Sequence, residues 1–281
     1  MISRPADQIR RRFEALASLS DEEVALAETA LLIGAEERPT LDISLYTRRL
    51  DAFGEIARKR AMPAHDALAL ISAVNATLFE ELGFVGNTEN YYDPRNSFLH
   101  EVIDRRRGIP ITLTVIYIEV ARRIGLTVQG VGLPGHFVGR TEIKGRTVFI
   151  DAFRGGRLIG EAGCSEMVAE STGGKTLLRA EHLAPVSNKQ VLTRILSNLL
   201  AIYAKGNDHA RALGAIDRIL IINPDQSAHI RDRGFLLAAV GDTEAALAAF
   251  RHYLRLEPEA PDADLVRKEI GLVLQRRARL N

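Results

Sequence analysis

The carboxyl-terminal third of the chain repeats itself with a period of about 34 residues, which restricts the possible folds more than any other feature. Each period carries small residues at helical spacing and ends in a proline, so two helices per repeat are predicted. Identical pairs at this shift include Ala204 and Ala238, Asp208 and Asp242, Ala212 and Ala246, Leu213 and Leu247, Leu220 and Leu254, and Pro224 and Pro258. Other pairs of positions are apolar in both copies, among them Tyr203 and Leu237, Ile216 and Phe250, and Ile219 and Tyr253.

This pattern resembles tetratricopeptide repeats. Two repeats bury too little apolar surface for a continuous core, so a helix over residues 262–278 is predicted to cap them. Residues 186–281 are therefore assigned to two repeats plus a capping helix. In such repeats the first helix of each pair lines a concave face that binds other proteins. The groove residues that this resemblance implies are Arg194, Asn198, Arg231 and Phe235. Packing between the repeats, or simple exposure to solvent, is an equally open role for them.

Residues 1–85 are predicted to form a helical amino-terminal region. Ser20 is followed by three acidic residues, a pattern typical of a helix start, where a capping hydroxyl and negative charges face the positive end of the helix dipole. An apolar stripe at helical spacing then covers residues 24–32. No convergent set of polar residues stands out in this region.

The charge balance gives no support to nucleic acid as the main partner. The chain has 37 basic and 36 acidic residues and a formal net charge of +1, whereas phosphate-binding proteins usually carry a basic excess. Cys164 is the single cysteine, so no intrachain disulfide is possible and a reducing compartment is expected. We find no apolar run of membrane-spanning length and no signal-peptide pattern. The expectation is a cytoplasmic protein of a bacterium-like cell, with no nucleic-acid or membrane partner.

The middle of the chain, residues 86–185, changes character. The segment GIPITLTVIYIEVARRIGL predicts a helix with Pro110 in its first turn and Gly125 at its exit. Its interior is almost wholly apolar, which predicts a buried helix. Three strands are predicted next, in LTVQGVG, HFVGRTEI and RTVFIDAF, and residues 155–174 are predicted to be an irregular connection.

A histidine in the stretch VGLPGHFVGR needs a physical reason. If Lys144 and Gly145 form a two-residue hairpin turn, Val138 faces Asp151 across the two strands. His136 lies on the same face as Val138 and becomes a diagonal neighbour of Asp151, within reach of a side-chain contact. An aspartate so placed can fix the tautomer of a histidine and stabilise its charged form. A one-residue slip would send Asp151 to the other face.

Residues 91–159 resemble the papain-like core of the transglutaminase-like superfamily. The stretches that carry this resemblance are YYDPRNSFLHEV, RRRGIPITLTVIYIEVARRIGL, VGLPGHF and FIDAFRGG. More closely, the chain resembles a bacterial family, the Sir B group, that joins such a core to carboxyl-terminal tetratricopeptide repeats. The name of that family associates it with invasion-gene regulation. The resemblance implies an α+β fold with a helical amino-terminal region, a papain-like core containing an antiparallel sheet, and α-helical repeats.

The same resemblance implies an incomplete catalytic site. In active members of the superfamily a cysteine opens the central helix, where the helix end and a histidine favour its thiolate form. His136 matches the histidine of the family and Asp151 matches its acid. The chain reads Gly108-Ile109-Pro110 at the place of the cysteine, with Pro110 about where the thiol would stand. Proline offers no nucleophile.

Two other side chains could supply a nucleophile. Thr112 lies near the helix start, although a helical threonine often bonds back to its own chain. Cys164 carries a thiol but follows Asp151 in the sequence, which is the wrong order for the family. Asn96 and Ser97 could donate hydrogen bonds toward the histidine or could serve as turn and cap residues.

We expect neither a metal nor a cofactor. Histidine and aspartate are competent metal ligands, but nothing in their spacing requires a metal. The residues that could form such a set are His100, His136, Asp151 and His182.

The sequence thus predicts a protein-binding scaffold or regulatory protein, a pseudoenzyme that binds other proteins through its repeats. The alternative is a hydrolase or acyltransferase that uses His136 and Asp151 with a nucleophile other than cysteine. Direct DNA binding is disfavoured by the charge balance and by the lack of a sequence motif typical of proteins that contact DNA bases.

Overall fold

The computed structural model describes residues 5–63 and 66–280, so residues 1–4, 64 and 65 of the predicted helical region lie outside it. The chain divides into two compact units, one up to Ile195 and one from Leu196. The predicted boundaries after residues 85 and 185 stay predictions. The elements that begin in the first unit are α1 (Pro5–Ala17), α2 (Leu26–Glu37), α3 (Ile43–Ala61), α4 (Ala67–Asn75), β1 (Val85–Gly86), α5 (Leu99–Arg105), β2 (Arg107–Gly108), α6 (Pro110–Arg123), β3 (Gln129–Val131), β4 (Val138–Ile143), β5 (Arg146–Asp151), β6 (Arg157–Ile159), α7 (Glu161–Thr172) and α8 (Asn188–Lys205).

The amino-terminal region is helical, as predicted, and Ser20 stands at the start of a helical turn, where its backbone N donates to the carboxylate of Glu23 at 3.2 Å. Ser20 precedes a single 3₁₀ turn, and α2 begins only at Leu26. The carboxylate of Asp21 instead caps α8, because it accepts hydrogen bonds from the backbone N of Asn188 (3.0 Å) and of Lys189 (2.9 Å). Burial opposes the ionisation of Asp21, but these hydrogen bonds outweigh it and lower the pKa of the carboxyl group.

Helix α6 is the buried helix that the sequence predicts. Every residue from Pro110 to Tyr117 is buried, and the helix packs against α3, β4 and the turn after β5. Pro110 occupies its first turn, where the missing N–H costs nothing. Gly125 follows the helix with φ +83°, the left-handed exit that favours glycine. None of the helices within residues 5–63 and 66–280 has the length and apolar character needed to cross a membrane.

A four-stranded antiparallel sheet has the order β3-β4-β5-β6. The predicted hairpin is confirmed, since Ile143 pairs with Arg146 and the two residues between them both have positive φ. Gly139 pairs with Ile150 in the same register. This register places residues 138 and 151 opposite each other, as the sequence predicts. The fold class, α+β with an antiparallel sheet and carboxyl-terminal helices, is confirmed.

The prediction of an irregular connection over residues 155–174 is wrong. Gly155 and Gly156 adopt positive φ in a tight turn that leads straight into β6. Helix α7 then buries Cys164, Met167 and Val168 against the sheet. The glycine-rich composition describes only the turns at the two ends of this segment, whereas tertiary burial of three apolar side chains forms the helix.

The second unit has the predicted repeat. Its elements are α9 (His209–Ile222), α10 (Ser227–Ala239), α11 (Thr243–Leu256) and α12 (Ala263–Leu280), and the last turns of α8 precede them. The shift that superposes the two sequence copies also carries the bounds of α9 onto those of α11. Asp208 and Asp242, which the repeat superposes, cap these two helices by accepting from Arg211 N and Ala245 N. Helix α12 lies where the capping helix is predicted.

Two glycine-to-alanine substitutions test how closely the helices of the repeats pack. In Gly234→Ala the new Cβ would lie 2.5 Å from Cε1 of Phe250, and overpacking of this kind costs about 1–3 kcal/mol. The control Gly214→Ala, in α9, has no neighbouring atom within 4 Å of its Cβ and should gain up to about 1 kcal/mol from helix propensity. Urea denaturation followed by circular dichroism measures both, and equal effects would contradict this packing.

Candidate functional site

The residues that break the strand pattern before β4 form a tight turn that ends at His136. The backbone N of His136 donates to Leu133 O at 3.1 Å across Pro134 and Gly135. Gly135 has φ +73°, so proline followed by glycine fits a type II turn. The hydroxyl of Ser171 donates to Pro134 O at 3.0 Å and ties the turn to α7. The residues that break the strand pattern in the sequence therefore have a local structural cause.

Arg194 holds the other side of this turn. One terminal nitrogen, Nη2, donates to Leu133 O and to His136 O, both at 2.8 Å. The guanidinium also lies 5.5 Å from the ring centroid of Phe137. Arg194 is predicted to line a repeat groove, whereas its guanidinium is bound to the histidine turn within the first unit. The repeat period gives no signal of such a contact, because the period relates equivalent positions of neighbouring repeats and the histidine turn lies outside them.

The imidazole of His136 is hydrogen-bonded to Asp151. His136 Nε2 lies 3.1 Å from Asp151 Oδ1, and the two residues are 7% and 0% exposed. The same carboxylate oxygen accepts from Phe153 N at 3.2 Å. With a proton on Nε2 donated to the carboxylate, Nδ1 is left able to accept a proton. Within the described residues Nδ1 has no hydrogen-bond partner. The arrangement is that of a histidine oriented by an acid.

A network of three asparagines shapes the loop beside this pair. Asn96 Nδ2 donates to Asn90 O and to Tyr91 O, and Asn87 Nδ2 donates to Asn96 Oδ1. The amide of Asn96 is therefore engaged within its own loop and does not reach the histidine. Ser97, the other proposed donor, is buried, and its hydroxyl has no hydrogen-bond partner within the described residues.

Aromatic rings connect the same loop to the histidine. The ring of Tyr91 meets Phe153 edge-on, at 6.2 Å between centroids, and Phe153 meets His136 at 5.9 Å. The sequence does not predict the contact between Tyr91 and Phe153, although the two adjacent tyrosines at 91 and 92 stand out in it. The imidazole therefore has an apolar neighbour on one side and the carboxylate of Asp151 on another.

Neither of the alternative nucleophiles is placed to attack. The hydroxyl of Thr112 is buried, donates to Asn96 O at 2.8 Å and accepts from Ile109 N at 3.2 Å, so it fixes the start of α6. Cys164 is fully buried in α7. Burial, with the charges of Glu161 and Asp151, raises the pKa of its thiol to about 11. In the described part of the chain, Pro110 stands at the start of the central helix with no thiol beside it.

Of the four residues considered as metal ligands, the structure brings together only His136 and Asp151 among the residues it describes. His100 is buried against α2 and the ring of Tyr46, and His182 Nδ1 accepts from Arg179 N within its own turn. Across residues 5–63 and 66–280, no group of three histidine, cysteine, aspartate or glutamate side chains could hold a metal ion.

The other predicted groove residues lie in the second unit. Arg231 pairs with Asp232 and Asp262, and Tyr253 also donates to Asp262 at 2.5 Å. Phe235 packs edge-on against Phe250 with 5.0 Å between centroids. Both side chains therefore take part in packing within the repeats. Asn198 is half-buried on α8.

Two family models match the chain. The first, described as the transglutaminase-like superfamily, covers residues 44–197, and the second, described as a tetratricopeptide repeat, covers residues 199–271. A UPF0162 protein of Xylella fastidiosa is 39% identical over 91% of this chain and 92% of its own length. A UPF0162 protein of Vibrio cholerae is 25% identical over 90% and 95%. The mouse F-box only protein 21 is 32% identical over 56% of this chain and 26% of its own length.

The buried thiol gives a chemical prediction. Raising the pKa of Cys164 from 9.0 to about 11 lowers its thiolate fraction at pH 8 about 100-fold. Alkylation by iodoacetamide, followed by mass spectrometry, should therefore be at least about 100-fold slower in the folded protein than in guanidinium chloride. Similar rates in the two conditions would show a reactive thiol and would restore Cys164 as a candidate nucleophile.

The contact between Arg194 and the histidine turn gives a second prediction. Arg194→Met leaves two carbonyls without their charged donor and should lower the free energy of unfolding by about 2–3 kcal/mol. The matched control is Arg146→Met, an exposed arginine of β5, which should change it by less than about 0.5 kcal/mol. Denaturant unfolding measures both variants, and an unchanged midpoint for Arg194→Met would contradict a clamping role.

Proposed function

The chain belongs to the transglutaminase-like superfamily, and from this premise we propose that it is a protein-binding scaffold whose core lacks thiol chemistry. A transglutaminase-like core followed by tetratricopeptide repeats fits a protein-interaction role. The finer proposal is that the core is a pseudoenzyme, which keeps a histidine and its acid but has lost the attacking group.

One observation carries this proposal. His136 and Asp151 are oriented and buried, but the first turn of α6 holds Pro110 in place of a nucleophile. The nearest hydroxyl in that turn, Thr112, is committed to backbone contacts, and the thiol of Cys164 is protonated and buried. A histidine and an acid alone orient a proton, but covalent catalysis also requires an activated nucleophile.

Protein binding is proposed for the repeats. Asn198 is half-buried on the first helix of its pair, and it is the candidate groove residue whose side chain has no described role in packing. Arg231 and Phe235 also take part in packing within the repeats, through an ion pair with Asp262 and a ring contact with Phe250. Removing either of them would disturb the fold together with the surface.

The setting of this function is also a proposal. The single cysteine supports a cytoplasmic location, because cysteines stay reduced in that compartment. A regulatory role, and the link to invasion-gene regulation, rest on the resemblance to the Sir B group.

A hydrolase or acyltransferase is the second candidate. The observation in its favour is Nδ1 of His136, which has no partner within the described residues while Asp151 orients the ring. In that position it could act as a general base toward a water molecule or a substrate hydroxyl. Such a reaction would dispense with a protein nucleophile.

Site-specific cross-linking in lysate tests the binding proposal. A benzoylphenylalanine in place of Asn198 should form adducts with a small set of proteins under light, because it lies on the proposed groove. The matched control places the same group at Arg251, an exposed position on α11, where these adducts should be absent. Equal labelling from both positions would contradict a groove.

The same samples distinguish the two candidate functions. A partner that is captured at full length, and equally well by a His136→Ala variant, supports a scaffold. A trimmed or covalently modified partner that disappears with His136→Ala would support the enzyme and overturn the pseudoenzyme proposal.

A further inference from the structure

An open cavity is lined by residues of β4 and β5, by the start of α7 and by residues 178–184. It has a volume of about 370 Å³, and we call it the arginine pocket. Its main lining residues are Arg140, Thr147, Phe149, Glu161, Arg179 and Leu183. At about 30 Å³ for each water-sized group, it has room for about a dozen such groups.

The floor of the arginine pocket is built by the hairpin. Arg140 and Phe149 are paired across β4 and β5, so their side chains project from the same face. Phe149 is buried and supplies an apolar base. Arg140 Nη2 donates to the hydroxyl of Thr147 at 3.3 Å, which holds the guanidinium over the pocket.

The opposite wall is also anchored. The backbone N of Arg179 donates to His182 Nδ1 at 3.1 Å, which fixes the turn that carries this second arginine. Further along, Pro185 bridges to Val131, the last residue of β3. The wall therefore has defined contacts at both of its ends.

Arg140 is the unusual feature of the pocket. It is half-buried, and within the described residues no carboxylate lies within 4 Å of it. By contrast, Arg123 is paired with Glu119 and Asp51, and Arg231 is paired with two aspartates. A guanidinium that is partly removed from water is stabilised by an anion placed in the plane of its fork.

We propose that the arginine pocket binds a small aliphatic monocarboxylate. Its carboxylate contacts Arg140 and the hydroxyl of Thr147, and its alkyl chain covers Phe149 and Leu183. Arg179 is already paired with Glu181 at 3.5 Å, so Arg140 is the guanidinium of the lining that has no carboxylate partner among the described residues and can take one. Glu161 disfavours a second one. This inference is independent of the function proposed for the His136 pair and the repeats.

Titration of the isotope-labelled full chain by NMR tests this site, with acetate, butyrate and hexanoate as probes. Resonances of Arg140 and Phe149 should shift, and affinity should rise about fourfold for each added methylene until the pocket is filled. Hexanamide, which lacks the charge, should bind at least about tenfold more weakly than hexanoate. Equal binding of the acid and the amide would overturn the proposal.

Substitutions that remove a positive or a negative charge from the pocket should change the affinity for hexanoate in opposite directions. Arg140→Gln should weaken hexanoate binding about tenfold or more, whereas Glu161→Gln should strengthen it. Arg179→Gln should weaken it to a smaller degree, and it reports on the pocket even if Arg140→Gln perturbs the hairpin. The matched control is Arg146→Gln, an exposed arginine of the same hairpin outside the lining, which should leave binding unchanged. Weakening by Arg146→Gln equal to that by Arg140→Gln would overturn the assignment.

A peptide probe distinguishes a small free acid from the carboxyl terminus of a protein chain, since both present an alkyl group and a carboxylate. Acetyl-Ala-Ala-Leu presents an apolar residue with a free terminal carboxylate, and it should bind no better than hexanoate. If this peptide shifts the Arg140 resonances while hexanoate does not, the pocket recognises a chain terminus and the small-acid proposal is wrong.

Discussion

The burial of the Asp151 carboxylate is the constraint around which the core of the first unit is arranged. A carboxylate without exposure to water is stable only when hydrogen bonds replace its hydration. His136 Nε2 and the backbone N of Phe153 supply two such contacts to a single oxygen. The contact with His136 depends on the register of β4 and β5, and the position of His136 depends on the turn that Arg194 and Ser171 hold in place. Loss of the register or of the turn would remove the hydrogen bond to His136 and leave the buried carboxylate with the contact from Phe153 N.

This arrangement resembles the oriented histidine of a hydrolytic enzyme without the group that would attack. In the proposed pseudoenzyme, the start of α6 corresponds to the position at which a helix dipole would favour a thiolate, and the chain has Pro110 there. Proline at the first turn also favours the helix itself, so the position now contributes to the stability of α6. Protein recognition by the repeats and carboxylate binding by the arginine pocket are functions that need no activated nucleophile.

Short-range patterns predicted much of this structure. The two-residue hairpin loop fixed a register that brings His136 to Asp151, and the repeat period placed α9 and α11 at equivalent positions. What could not be predicted depends on contacts between distant positions. Asp21 caps α8 rather than its own helix, Arg194 holds a turn far earlier in the chain, and the packing of Cys164 makes a helix of a glycine-rich segment. Local sequence carries no signal for such pairings, because each depends on which elements become neighbours after folding.

The most direct test of the central claim is to restore the missing group. In Pro110→Cys, on a Cys164→Ala background, the rate of alkylation by iodoacetamide would be measured against pH. If His136 and Asp151 form a thiol site that lacks only its nucleophile, the new thiol should have a pKa well below its ordinary value of about 8.5, and His136→Ala should raise it again. A thiol with an ordinary pKa that is insensitive to His136→Ala would contradict this account, because it would show that the pair and the helix start do not form one site.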